Sequence, residues 1–62
     1  MTDYNYLQGA LDFAVKYEAT CVRIEVDNGI LDMSPAEAWH DFHELSPGET
    51  FTLISIHFDP NN

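Results

Sequence analysis

Four of five consecutive residues near the middle of the chain have side chains of the types that bind metal ions: His40, Asp41, His43 and Glu44. The two histidines can share one helix face, and His57 is a third potential zinc ligand in a predicted strand. However, the spacing matches no closed structural zinc site, and the sequence lacks a cysteine pair. We therefore predict no metal site, and we expect helix-surface histidines that pair with Glu37 or Glu44.

The other chemically active residue types also favour structural roles. Cys21 is the only cysteine, so it cannot form an internal disulfide, and we interpret it as a small strand residue. Asp27 and Asp32 flank a glycine, but they lack the spacing and the final glutamate of a calcium loop. No nucleophile motif or glycine-rich phosphate loop occurs. The sequence predicts no catalytic residue, no cofactor and no enzyme activity.

The charge of the chain is strongly one-sided. The chain has eleven acidic residues and only two basic ones, Lys16 and Arg23. This gives a formal net charge of −9 in a chain hydrophobic enough to fold. Nucleic-acid binding requires cationic groups that displace counterions from phosphates, so direct contact with nucleic acid is excluded. Anionic membranes are disfavoured for the same reason. Any partner is expected to be basic.

The length and the apolar runs indicate one small domain. With 62 residues the chain forms a single domain, 1–62, in which 59–62 are expected to fray. No apolar run reaches the roughly 20 residues of a membrane span, and the N-terminus lacks the regions of a signal peptide. These features predict a cytoplasmic protein.

A β-hairpin is the clearest local signal. Asn28-Gly29 lies between two alternating apolar runs and predicts a two-residue type I′ turn. This turn places Glu25 opposite Asp32, a like-charge pair that destabilises the sheet. The predicted core face of the hairpin consists of Val22, Ile24, Val26, Leu31 and Met33.

Two helices and a third strand complete the pattern. A first helix is capped by Thr2 or Asp3 and runs to about Glu18 with a wide apolar arc. Ser34 to Glu37 form a capping box for a second helix that ends at 46–48. Its predicted apolar stripe consists of Pro35, Ala38, Trp39, Phe42 and Leu45. The third strand covers 50–58.

The element order predicts an α+β fold, α-β-β-α-β, with a three-stranded antiparallel or mixed sheet of order 2-1-3 and two helices on one face. Regular alternation in the third strand places Thr52, Ile54 and Ile56 towards the core. The uncovered sheet face then forms a homodimer or docking surface. Its central residues are Arg23, Phe51, Leu53 and His57.

In size and charge the whole chain resembles the small phage and mobile-element inhibitors, anti-CRISPR and anti-restriction proteins, some of which mimic nucleic acid. The resemblance includes no motif and carries over no residue. It implies an acidic inhibitor that blocks the basic, nucleic-acid-binding surface of a host protein. The alternative is a structural or adaptor module that dimerises or docks a protein through its exposed apolar sheet face or its tyrosine-rich first helix. The predicted partner-binding residues are Glu25, Asp27, Asp32, Glu37, Asp41 and Glu44.

Overall fold

The computed structural model describes residues 4–59, which form the predicted order of elements. The elements are α1 (Tyr4–Lys16), β1 (Cys21–Val26), β2 (Gly29–Met33), α2 (Pro35–His43) and β3 (Phe51–His57). The predicted caps Thr2 and Asp3, and residues 60–62 of the predicted frayed tail, lie outside the described residues. No helix between Tyr4 and Asp59 is long and apolar enough to cross a membrane.

The sheet has the predicted order β2-β1-β3, and both neighbouring pairs are antiparallel. β2 and β3 therefore flank the central strand and run parallel to each other. One core joins the inner face of β1 to both helices, so the helices cover the same face of the sheet. The buried residues of this core are Leu11, Ala14, Ala19, Val22, Ile24, Ala38, Phe42 and Phe51.

The hairpin turn lies one residue earlier than predicted. Val26 pairs with Gly29, so the two turn residues are Asp27 and Asn28, and only Gly29 has a positive φ, of 128°. A type I′ turn requires positive φ at both central residues, so that prediction was wrong. The observed register still leaves each side chain on its predicted face, because the shift moves each partner by two residues.

The new register removes the predicted like-charge pair. Arg23 lies opposite Asp32, and Glu25 lies opposite Ile30 instead of Asp32. The Arg23 guanidinium donates from Nε to Oδ1 of Asp32 at 2.9 Å and from Nη2 to Oδ2 at 3.2 Å. An opposite-charge pair across two strands is favourable, whereas the predicted pair was repulsive. This difference is a physical reason for the observed turn.

A β-bulge in β3 overturns the predicted faces of residues 51–54, whereas Ser55, Ile56 and His57 lie on their predicted faces. Arg23 pairs with Ser55 but Ile24 pairs with Leu53, so Ile54 is an extra residue without a partner on β1. Phe51, Leu53 and Ile56 therefore lie opposite the inward-facing residues of β1. Phe51 is 9% exposed, while Ile54 is 47% exposed.

The physical reason for the bulge is the core itself. A regular strand that buried Ile54 and Ile56 would turn Phe51 towards solvent. The extra residue lets Phe51, Leu53 and Ile56 all contact the core, and the Phe51 ring lies 5.9 Å from that of Phe42 on α2. Burying the additional large apolar side chains outweighs the local loss of strand pairing.

The start of α2 and the end of α1 follow their local signals, whereas α2 ends at His43 and not at the predicted 46–48. The Ser34 hydroxyl accepts a hydrogen bond from the Glu37 N–H at 3.2 Å, and Pro35 is the first residue of α2, as predicted. After α1, Glu18 takes a left-handed conformation with φ 57°. The Ala19 N–H then donates to the Ala14 carbonyl at 2.9 Å, which closes the helix end and leads the chain into β1.

Candidate protein-binding groove

An open groove of about 350 Å³ lies between the β1–β2 turn, the C-terminal end of α2 and the start of β3. We call it the acidic groove. Its apolar lining residues are Val26, Leu31, Met33, Leu45 and Phe51. Its polar lining residues are Asp27, Asn28, Asp41, Glu44, Glu49 and Thr50. Four carboxylates from three segments thus line the same groove as these five apolar residues.

Local hydrogen bonds hold two of these carboxylates in place. Asp27 lies in the hairpin turn, and its Oδ1 accepts from the Thr50 N–H at 3.3 Å. Glu49 lies just before β3, and its Oε1 accepts from the Ser46 N–H at 2.6 Å. The first bond links the hairpin turn to the residue before β3, and the second lies within the α2–β3 connection. A carboxylate that accepts one such bond still has free lone pairs for a cationic partner.

The other two groove carboxylates lie at the end of α2. Asp41 is in its last turn, and Glu44 is its C-cap residue. The negative end of the helix dipole disfavours anions there, so helix stability does not explain acidic residues at these positions. His40 Nε2 lies 3.1 Å from Glu44 Oε2, which forms an ion pair when the imidazole is protonated. That pair confirms the predicted partner of His40.

The groove contains half of the predicted partner-binding residues. Asp27, Asp41 and Glu44 line it, whereas Glu25 and Asp32 lie on the outer sheet face and Glu37 lies in the first turn of α2. These six acids therefore do not form one surface.

Glu49 lines the groove but was not among the predicted residues, because a loop residue without periodicity has no predictable position. Its only signal was its place directly before a strand that starts close to the hairpin turn.

Among the predicted partner-binding residues, Asp32 is paired with the guanidinium of Arg23. The hydrogen bond from Arg23, aided by the positive charge of the guanidinium, lowers the pKa of the Asp32 carboxyl. The same hydrogen bond raises the pKa of Arg23. Both side chains are about half exposed. Asp32 therefore stays ionised, but its charge is not available to a partner as a free anion.

The predicted dimer face is divided between the two sides of the sheet. Arg23 and His57 lie on the outer face, where His57 Nε2 is 2.8 Å from the Ser55 hydroxyl. Phe51 and Leu53 face the core because of the bulge. The prediction of an apolar patch formed by Phe51 and Leu53 was therefore wrong. The uncovered face is mainly polar.

The histidines lie in separate environments. The His43 ring packs against Trp39 with a centroid distance of 4.1 Å, His40 is paired with Glu44, and His57 is on the sheet. Across residues 4–59 no group of three or more His, Cys, Asp or Glu side chains is arranged to hold a metal ion.

A second exposed feature lies at the end of α1. The Phe13 ring is 4.7 Å from that of Tyr17 and 6.1 Å, edge to face, from that of Phe58. About half of each of these side chains is exposed. We call these three residues the aromatic patch. It forms because the apolar arc of α1 is wider than the core: Leu11 and Ala14 are buried, and the flank that carries Phe13 is not.

The sequence matches no protein-family model, and the comparisons found no similar curated protein and no similar solved structure. The groove, the aromatic patch and the charge of the chain are therefore the features that indicate a function.

Proposed function

We propose that this protein is a small acidic inhibitor or regulator that binds a basic, normally nucleic-acid-contacting surface of a host protein. It works in the cytoplasm by binding and not by catalysis. In this proposal the carboxylates take the place of phosphates, as in the nucleic-acid mimics among anti-CRISPR and anti-restriction proteins. The partner supplies Arg and Lys side chains, and neither nucleic acid nor a membrane is bound directly.

The observation that carries this proposal is the acidic groove. Four carboxylates and five apolar residues line it, and Asp41 and Glu44 lie at the end of a helix that disfavours anions. Lys and Arg combine an apolar stem with a cationic head, so they match a groove of this composition. The formal net charge of −9 also accelerates the approach of a basic partner.

Two variants of equal charge test whether the groove or the total charge binds. Each replaces three carboxylates by amides and changes the formal net charge from −9 to −6. The groove variant is Asp41→Asn, Glu44→Gln and Glu49→Gln. The matched variant, with all changes outside the groove, is Glu18→Gln, Glu25→Gln and Glu37→Gln.

Tagged wild-type protein is used to capture partners from nuclease-treated host lysate at ~0.05 M salt, and they are released at ~0.5 M salt, where charges are strongly screened. We expect mass spectrometry to identify a nucleic-acid-binding protein whose nucleic-acid binding is inhibited by the acidic protein. The groove variant should associate with that purified partner on the order of tenfold more slowly than the matched variant. Equal association rates of the two variants would contradict binding through the groove. A partner that still binds nucleic acid in the presence of the acidic protein would contradict the proposed inhibition.

The aromatic patch favours a second candidate function. Phe13, Tyr17 and Phe58 form an exposed cluster that suits an adaptor module, which dimerises or docks a protein through apolar contacts. We propose that the homodimer predicted from the sequence forms through this patch and not through Phe51 and Leu53. Binding of this kind survives ~0.5 M salt, whereas binding to a basic surface does not. The salt series therefore separates the two candidates.

A further inference from the structure

β2 has one unpaired long edge in the part of the chain that the structure describes. Among residues 4–59 the sheet contains three strands, and β2 pairs with β1 only. The N–H and C=O groups on its other edge are therefore open to another strand. Edge strands are often protected by Lys, by Pro or by a bulge. Gly29–Met33 contains no Lys or Pro, and its ladder to β1 is regular.

The side chains of this strand are also poorly covered. Ile30 on the outer face is 60% exposed, and Leu31 on the helix-facing side is 49% exposed. Leu31 and Met33 are on the same face as buried Ile24 and both line the acidic groove, and Met33 also packs against the core. The open edge and the groove are thus adjoining parts of one surface.

We propose that this surface binds an extended basic segment of the partner, which adds to the sheet as a fourth strand beside β2. This inference rests on the proposed function and names its mode of binding. Backbone hydrogen bonds to β2 supply affinity, and pockets for alternate side chains supply specificity. The recognised chemistry is a strand in which Lys or Arg alternates with apolar residues.

Alternation follows from the geometry of the two faces. Side chains of an added strand that lie on the face of Leu31 and Met33 extend over the acidic groove. There the stem of a Lys or Arg contacts the apolar lining residues, while its head reaches the carboxylates of Asp41 and Glu44. Side chains on the opposite face lie next to exposed Ile30, which favours apolar residues at alternate positions.

Charge selects a basic partner over a second copy of the chain. Pairing two β2 edges would join two molecules of formal net charge −9 and bring their acidic grooves to the same side of one sheet. Like charges placed together oppose association, whereas a basic strand neutralises the groove. The open edge of β2 therefore favours a basic strand over a second copy of the chain.

The probe is an acetylated and amidated peptide of about seven residues, the length of an ordinary strand, in which lysine and valine alternate. Two derivatives have N-methyl groups on alternate residues, one set on odd and the other on even positions. Only one set of peptide N–H groups can point towards β2 in an added strand. We expect N-methylation of the set that points towards β2 to weaken binding by about tenfold or more, since several hydrogen bonds are lost. N-methylation of the other set should have little effect.

Amide hydrogen exchange of the protein gives a second readout. Binding of the unmodified peptide should slow exchange at alternate residues of β2, because their outward N–H groups become hydrogen bonded. Replacing Asp41 with Asn and Glu44 with Gln should weaken binding of the peptide. Replacing Glu18 and Glu25 with Gln, which changes the charge equally, should weaken it less. Removing two anions from the negative end of α2 offsets the loss of the exposed His40–Glu44 pair, and equal urea unfolding curves of the two variants would exclude loss of the fold as the cause.

Three results would overturn strand addition: no binding of the peptide at ~0.05 M salt, equal effects of the two N-methylated sets, or unchanged exchange in β2 despite binding. Each leaves the proposed function to be judged by its own experiment. Capture of a salt-sensitive nucleic-acid-binding partner would then support inhibition through side-chain contacts alone. Failure of that capture experiment would reject the proposed function itself.

Discussion

Arg23 is one of two cationic side chains in the sequence, and it lies against the Asp32 carboxylate. Both side chains are about half exposed, and pairs of this kind contribute little to stability because water and salt screen them. Their main effect is on the charge that the surface presents. Pairing removes Asp32 from the anions available to a partner and leaves the groove carboxylates as the strongest candidates.

The pairing predicts a specific change in titration. In Arg23→Gln the pKa of Asp32 should rise towards its ordinary value, because the hydrogen bond that lowers it is lost. In the wild type, the stabilising effect of the pair is present above the ordinary pH range of an aspartate. It is lost as the pH falls through the lowered pKa of the folded state.

NMR titration of the side-chain carboxyl carbon measures this change. Lys16→Gln is the matched control, since it alters the formal charge equally without contacting Asp32. Identical Asp32 titration in Arg23→Gln and wild type would show that the ion pair does not form in solution.

Gly29 offers a second test at the residue scale. Its φ of 128° is a conformation that residues with a side chain rarely adopt, yet an added Cβ would meet no atom within 4 Å. The cost of Gly29→Ala is therefore one of backbone conformation, and we expect about 1–2 kcal/mol of destabilisation in urea unfolding. Gly9→Ala in α1 also meets no atom within 4 Å. It should instead stabilise the protein by about 0.5–1 kcal/mol. Destabilisation by both substitutions would contradict this explanation of the turn.

At the scale of the elements, the bulge in β3 decides which residues the protein buries. It lets a strand with large apolar residues at irregular spacing keep one apolar face on the core. It also changes the surface, because the outer face loses Phe51 and Leu53 and becomes mainly polar. A sheet face of that composition no longer requires a partner to cover apolar side chains.

The bulge predicts opposite behaviour for two neighbouring residues. Leu53→Ala should destabilise the protein by about 2 kcal/mol, because Leu53 packs against the core. Ile54→Ala should cost less than about 1 kcal/mol, because Ile54 is unpaired and largely exposed. Urea unfolding of the two variants makes the comparison. A greater loss of stability in Ile54→Ala would indicate the regular register without a bulge.

For the whole molecule, the high negative charge gives its two candidate modes of association opposite responses to salt. Binding to a basic surface weakens as salt screens the attraction, whereas association between copies strengthens as salt screens their repulsion. The response to salt therefore distinguishes the acidic groove from the aromatic patch even before the partner is identified.

We predict that a homodimer forms through the aromatic patch and becomes more populated as salt rises from ~0.05 M to ~0.5 M. Sedimentation measures the change in mass, and Phe13→Ser should reduce dimerisation. Ile30→Ser is the control, since it removes an exposed apolar side chain outside the patch. A species of 7.1 kDa at both salt concentrations would contradict the homodimer.

The sequence by itself determined the element order, the cap at Ser34 and the strand order 2-1-3. These features depend on local periodicity, on capping chemistry and on the few connections that so short a chain permits. Residues close in sequence also determined the His40–Glu44 pair and the contact of His43 with Trp39. Their spacing along one helix is sufficient to bring them together.

Only the tertiary structure decided the register of the hairpin, the bulge at Ile54 and the composition of the acidic groove. The register places Arg23 opposite Asp32, and the bulge brings the ring of Phe51 close to that of Phe42. Glu49 joins the other groove carboxylates because the α2–β3 connection returns to the hairpin turn. Such contacts bring together residues distant in sequence, and their energies are settled by packing, which no local pattern contains.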